Sequence, residues 1–326
     1  MIGTRPELLA TIYKDVSPVL ISRFGDREET VRLEVWATYV ILLDQTAVYG
    51  GTPQTNNSVL RGKRKRDTEE TMDIEGSPYA MLNAQAPALC KALLNQLKSF
   101  KSLPATLQAG FNLLQTLLSV LPGALSTQVS TTLAITKNIL SQPPTTSTSS
   151  LYLTCLTFLI LFFSSHPPTA FADSLPTMTG VLLKAIGEKH PRVVSESFRV
   201  FSSLLNALKP VKGTDWAEKL YDAAFTRLSH YDTDPEVRAA AEDCIGDLWV
   251  CASDMMRGKG KEWEYICRLT GQTEGPVKIV TKVAKEVQMG NVWVDECMKW
   301  LLELIKRGSR SGKGDVFTGL EVLMKR

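Results

Sequence analysis

The chain has 326 residues, 44% of them hydrophobic and 22% charged, with a formal net charge of +3. That balance is ordinary for a globular chain and too close to neutral to point to nucleic acid or a membrane surface as the partner of the whole molecule. Its six cysteines stand far apart, with no C-x-x-C pair and no Cys/His cluster at zinc spacing, so neither a metal site nor a disulfide framework is expected.

Residues 1–20 lack a basic stretch followed by an apolar core, so a secretory leader is not expected and the cysteines should be reduced, buried thiols. The first expected pair of helices is 7–24 and 30–46, joined by GDREE. Leu8, Ile12, Val16, Val19 and Leu20 form the stripe of the first, which Pro18 should kink; Val31, Val35, Tyr39 and Leu42 form that of the second. Residues 47–82 break the pattern with a Gly/Asn/Thr-rich run, the basic cluster RGKRKR and then an acidic run. Their apolar content is too low to repay the entropy of ordering, so a flexible insertion is expected.

Four further pairs follow: 83–100 with 104–121, 124–141 with 149–165, 170–187 with 191–208, and 215–230 with the stretch 232–248. The clearest period is Val194, Phe198, Phe201, Leu205 and Leu208. The run LYLTCLTFLILFF, Leu151 to Phe163, would span about 20 Å as a helix, short of the roughly 30 Å hydrocarbon core of a bilayer. It reads as a helix buried on most sides in a soluble protein. A sixth pair, 261–269 with 276–287, is less regular, and a seventh joins 292–307 to 311–325. Phe317, Leu320, Leu323 and Met324 are expected to be exposed on the last helix with no polar cap behind them, as in an internal piece of a longer stack.

One unit is being repeated. DTDPEVRAAAEDCIGDL, Asp232 to Leu248, opens with turn aspartates and a proline suited to a first helical turn, then carries one apolar face. Its spacing Asp232, Val237, Arg238 returns as Asp26, Val31, Arg32, and more roughly as Glu188, Val193, Val194 and as Gln272, Val277, Lys278. Apart from the insertion, the second helices recur every 35 to 45 residues, roughly a HEAT or armadillo period. The expectation is an all-α, HEAT-repeat α-solenoid of about seven helical hairpins, superhelical and curved. Residues 1–46 form one repeat, 47–82 the insertion, and 83–326 six further repeats.

Two stretches, YKDVSPVLISRFGDREETVRLEVWATYVILLDQT (Tyr13 to Thr46) and LLSVLPGAL (Leu117 to Leu125), closely resemble the central HEAT repeats of the cullin-associated and neddylation-dissociated proteins. Pattern-level similarity continues through HPRVVSESFRVFSSLLNALKP, the DPEVRAAAEDCIGDL unit and the final WLLELIKR…GLEVLMKR pair. The resemblance implies a regulator of cullin–RING ubiquitin ligases, found in cytoplasm and nucleus. Such a protein wraps an unneddylated cullin with its RING-box subunit and dislodges adaptor and substrate receptor so that one receptor can replace another. It does no covalent chemistry, needs no cofactor and takes no small-molecule substrate. Family members are several times longer, so this chain should contribute spacing and some cullin contact without exchanging receptors alone. The alternative is an importin-type nuclear transport carrier, which shares the HEAT architecture.

Three sets of charged residues remain. Arg32, Arg238 and Lys278 stand one place after the repeat valine. They could touch the cullin, or form a ladder with turn aspartates such as Asp26 and Asp232 that holds neighbouring repeats in register. Arg61, Lys63, Arg64, Lys65 and Arg66 are a candidate nuclear-import signal, since compact positive charge suits an acidic receptor groove. SRSGKGD at Ser309 to Asp315 lacks the spacing, the hydroxyl residue and the preceding strand of a phosphate loop. His166, His190 and His230 stand near helix ends, where capping explains them. With no acid/base pair or nucleophile constellation, the chain is not expected to be an enzyme.

Overall fold

The computed structural model describes residues 5–50, 77–98, 103–212, 215–230, 233–258, 274–287, 290–306 and 313–325. The expected insertion largely lies outside these residues, as does the expected helix 261–269. Among the described residues all regular structure is helical. Two compact units are distinguished, Met1–Ile135 and Thr136–Arg326.

The first unit begins with a segmented rod, here α1. A 3-10 turn at Pro6–Leu8 leads through Leu9–Thr11 to a π-helical turn at Ile12–Val16 and an α-helical end at Ser17–Ser22. Pro18 has no N–H to give, and its ring crowds the carbonyl one turn back. The disturbance expected there takes the form of the π turn, in which the Ser17 N–H reaches back to the Ile12 carbonyl. Continued by one residue, that register sets the Tyr13 carbonyl opposite the proline nitrogen, which has no N–H to donate. Gln85 supplies one from outside, its Nε2 donating to the Tyr13 carbonyl at 2.8 Å.

The polar partners also decide which side of α1 faces inward. Tyr13 Oη bonds Thr46 Oγ1 at 2.6 Å, and Ser17 Oγ bonds Tyr39 Oη at 3.0 Å and the Gln85 carboxamide. Leu9, Tyr13, Ser17 and Phe24 are buried, while Leu8, Val16 and Val19 are 43%, 44% and 59% exposed. This corrects the expected stripe of Leu8, Ile12, Val16, Val19 and Leu20. The burial pushes the Tyr39 phenol up to about 12.

Helices α2 (Glu29–Tyr49), α3 (Pro78–Leu97) and α4 (Pro104–Val120) complete this unit's main frame. Phe24 packs edge-on to Trp36 and Tyr39, with ring centroids 6.4 and 5.4 Å apart. Along α4, Phe111, Leu114 and Leu118 are buried as the period requires, and α4 packs on α2. The turn after α4 depends on Gly123, whose φ of 81° is a left-handed conformation that a Cβ would strain.

The unit boundary falls within α5 (Val129–Leu140). Beyond it come α6 (Ser149–Ser165), α7 (Leu175–Ile186), α8 (Pro191–Leu208), α9 (Asp215–Ser229) and α10 (Pro235–Cys251). The short α11 (Ser253–Gly258) precedes α12 (Glu274–Glu286), α13 (Asn291–Lys306) and α14 (Lys313–Met324). The second helices pack on one another in sequence order: α6 on α8, α8 on α10, α10 on α12, α12 on α14. On α8, Val194, Phe198, Phe201 and Leu205 are buried on the expected face, and each such side chain contributes about 1.5–3 kcal/mol.

The apolar α6 is held inside this stack, with Leu151, Cys155, Phe158, Leu159, Phe162 and Phe163 buried. Among the described residues no helix is long and apolar enough to cross a membrane. On α14, Phe317 and Met324 are exposed as expected, whereas Leu320 and Leu323 are buried because α12 and α13 pack against them.

The Gln85 bond can be tested directly. Gln85→Leu should lower stability to denaturant by about 1–3 kcal/mol, because it leaves the Tyr13 carbonyl without its donor. Gln142→Leu, at an exposed loop position, should change stability by no more than about 0.5 kcal/mol.

Candidate interaction surface

Each hairpin must satisfy the carbonyls at the end of its first helix, and here the repeat arginines serve that need. Arg32 Nη1 donates to the Asp26 carbonyl at 2.8 Å and more loosely to that of Arg27. Arg238, 8% exposed, spreads its fork over the carbonyls of Leu228 (3.2 Å) and His230 (2.8 Å). A planar guanidinium can serve two carbonyls at once, which an ammonium does poorly. Arg32 thus meets the turn aspartate of its own repeat through the backbone.

The Asp26 carboxylate is occupied otherwise. It accepts from the Glu28 N–H and from Arg23, which holds its carboxyl below the usual range, the Glu28 bond being the larger cause. Asp234 caps α10, its Oδ1 accepting from the N–H groups of Glu236 and Val237. Asp232 lies outside the described residues, as do Arg61, Lys63, Arg64, Lys65 and Arg66. Lys278 departs from the two arginines: it is exposed and lines a shallow recess between α12 and α14 that Asp315 shares.

Contacts between repeats come from residues that spacing did not single out. Arg227, on α9, donates across to the carbonyls of Ile186 (2.7 Å) and Glu188 (3.3 Å) at the end of α7. Buried Asp247 of α10 accepts from Asn206 of α8 at 3.0 Å and pairs with Lys282 of α12 at 2.6 Å. Arg199 pairs with Glu236 at 3.2 Å, and Lys209 with Glu286 at 3.1 Å. Glu242 lies over the start of α12 so closely that a Cβ on Gly275 would collide with its carboxylate. An acidic α10 is thereby clasped between basic residues of α8 and α12. Periodicity could not reveal this, because the partners sit one repeat apart.

The thiols and imidazoles serve structure in the same way. Cys90, Cys155, Cys244, Cys251 and Cys297 are free and buried, and burial pushes Cys90 up to about 12 and Cys251 up to about 11. Among the described residues no group of three or more His, Cys, Asp or Glu is placed to hold a metal ion. His166 stacks on Phe162 at 4.4 Å, with Nδ1 2.9 Å from the Phe162 carbonyl at the end of α6. His190 precedes α8 without a side-chain capping bond, and His230 enters through its carbonyl.

Stacked helical hairpins joined through their second helices define the class: a HEAT- or armadillo-type repeat protein. Yeast importin-β shares the fold, with a TM-score of 0.60 at 12% identity over 99% of this chain and 43% of that one. The sequence narrows the class further, since residues 109–245 match the family described as CAND1-like, TPR repeats. Cullin-associated NEDD8-dissociated protein 1 of Arabidopsis thaliana is 29% identical over 265 residues, which cover 79% of this chain and 20% of that protein. Protein 2 of Mus musculus is 29% identical over 254 residues, covering 76% and 19%. The C-terminal part of protein 1 from Emericella nidulans is 25% identical over 291 residues, covering 75% and 28%. The chain is thus similar to the cullin-associated NEDD8-dissociated proteins and spans about a fifth of the length of the full-length relatives it matches.

Two outcomes follow from these placements. Arg238→Lys should lower stability by about 1.5–3 kcal/mol in denaturant titration, since one ammonium cannot replace the forked donor, while Lys278→Ala should stay within about 0.5 kcal/mol. Burial lowers the His166 pKa, so the folded chain takes up that proton at lower pH than the unfolded chain does. Stability from this residue is complete above the ordinary value of 6.5 and is lost as the pH falls below it towards the folded value. Melting temperatures measured from pH 7.5 to 5 should fall less for His166→Gln than for the unaltered chain.

Proposed function

We propose that this chain is a cullin-binding scaffold, a portion of an assembly factor that engages an unneddylated cullin with its RING-box subunit and promotes exchange of substrate receptors. The observation that carries this reading is the family match over residues 109–245, together with relatives whose names associate them with cullins and with dissociation from NEDD8. The geometry suits the task. A row of second helices presents side chains from successive repeats along one direction, so contacts that are weak singly can act together. The residues singled out above bond backbone carbonyls or neighbouring helices, which is the work of a scaffold and not of a catalyst.

Receptor exchange belongs to the longer assembly, to which this chain contributes binding surface. The basic cluster Arg61 to Arg66 fits entry into the nucleus as well as residence in the cytoplasm. The importin-like fold carries no transport function across at 12% identity.

In gel filtration the purified chain should co-elute with an unneddylated cullin–RING-box complex, and addition of NEDD8 to the cullin should weaken this at least tenfold. Equal binding to both forms, or to neither, would overturn the reading.

A further inference from the structure

Lys278 departs from its repeat. At the equivalent position Arg32 and Arg238 donate to backbone carbonyls of their own hairpins. Lys278 is exposed and, among the described residues, has no hydrogen-bond or ion-pair partner. It lines instead the recess between α12 and α14, whose volume is about 220 Å³. The stack leaves this side chain without a structural task.

A close approach of two helices sets the floor of the recess. Gly319 brings α14 so near α12 that a Cβ there would stand 3.0 Å from Thr281 Oγ1 and 3.9 Å from Val277. Above that floor Lys278, Lys282 and Lys285 recur at steps of four and three, so they share one side of α12. Across from them α14 contributes Asp315 and Thr318. The volume lies below the roughly 300–1,000 Å³ of a site for a drug-sized ligand, so the recess suits one side chain of a partner.

Its charge selects that side chain. Lys282 is already paired with Asp247 at 2.6 Å, and Glu286 with Lys209 at 3.1 Å. The other lining charges, Lys278, Lys285 and Asp315, leave an excess of one positive charge. Both hydroxyls donate within their own helices, Thr281 to the Val277 carbonyl at 2.8 Å and Thr318 to that of Gly314 at 3.0 Å. Donors for a guest therefore come from ammonium groups, which attract a carboxylate and repel a cationic side chain.

We infer that the recess between α12 and α14 receives a carboxylate side chain from an acidic segment of the cullin partner, held by Lys278. The inference rests on the cullin-binding reading above and adds a contact point to it. An exposed pair of this kind acts mainly on association and its dependence on salt.

The probe is the unneddylated cullin–RING-box complex, titrated against the full chain and three variants. Lys278→Glu sets like charges together and should weaken binding at least fivefold, slow association and flatten its dependence on salt. Its melting temperature should stay within about 2 °C of that of the unaltered chain. Asp315→Asn removes the opposing carboxylate and should tighten binding about twofold, which damage to the fold could not do. Lys219→Glu, the same charge change at an exposed position of α9, should bind as the unaltered chain does. If the unaltered chain binds and Lys278→Glu stays within twofold of it, or weakens binding no more than Lys219→Glu, the recess is overturned and the cullin reading stands. If Lys278→Glu tightens binding, the guest is an acidic segment of this chain itself and the inference falls in the same way. If the unaltered chain fails to bind, both readings fall together.

Discussion

A helix that ends against another repeat must have its last carbonyls satisfied, since water reaches them poorly. In this chain that requirement governs the connections between hairpins. Arg32 and Arg238 reach from the second helix to the loop of their own hairpin, and Arg227 reaches from one first helix to the end of the preceding one. Gln85 does the same for a carbonyl that Pro18 leaves unpaired in mid-helix. Each bond contributes modestly, but leaving a buried carbonyl unmet costs about 1–3 kcal/mol. Long polar side chains therefore occur at these positions, where sequence alone suggests solvent-exposed charge.

The second requirement is that no hairpin can bury its apolar face alone. The second helices meet it by packing in series, and in the second unit they alternate in charge as they do so. The acidic α10 lies between α8 and α12, with Asp247 held by Asn206 and Lys282. Opposite charges on successive helices favour the native register, because a shift by one helical turn would set like charges against each other or strand a buried carboxylate. The cost is that these side chains are committed to the stack and cannot also serve a partner.

Helix α6 contrasts with them: it is the second helix of this unit without a charge of its own. Its packing on α8 includes the hydroxyl of Ser203 on the Ile160 carbonyl beside buried apolar side chains of both helices. The buried thiols and the His166 imidazole, held at the Phe162 carbonyl, serve this frame as well.

Much of this was legible in the sequence. The spacing of Val194, Phe198, Phe201 and Leu205 is enough to define α8 and its buried face, since 3.6-residue periodicity follows from helix geometry alone. Asp-Pro and Pro-Gly steps mark where helices start and stop, because proline and glycine act through the local backbone. The resemblance to the cullin-associated proteins, too, could be read from Tyr13 to Thr46 and from Leu117 to Leu125. What the tertiary structure decided lies between elements. Leu8, Val16 and Val19 match a helical stripe as well as Leu9, Tyr13 and Ser17 do, and only the hydroxyls of Thr46 and Tyr39 across the hairpin select the second set. Arg238 and Lys278 occupy the same repeat position, yet one is buried over carbonyls and the other exposed. Periodicity tells which residues share a face of a helix; which face turns inward, and what each long polar side chain grasps, depends on partners many residues away.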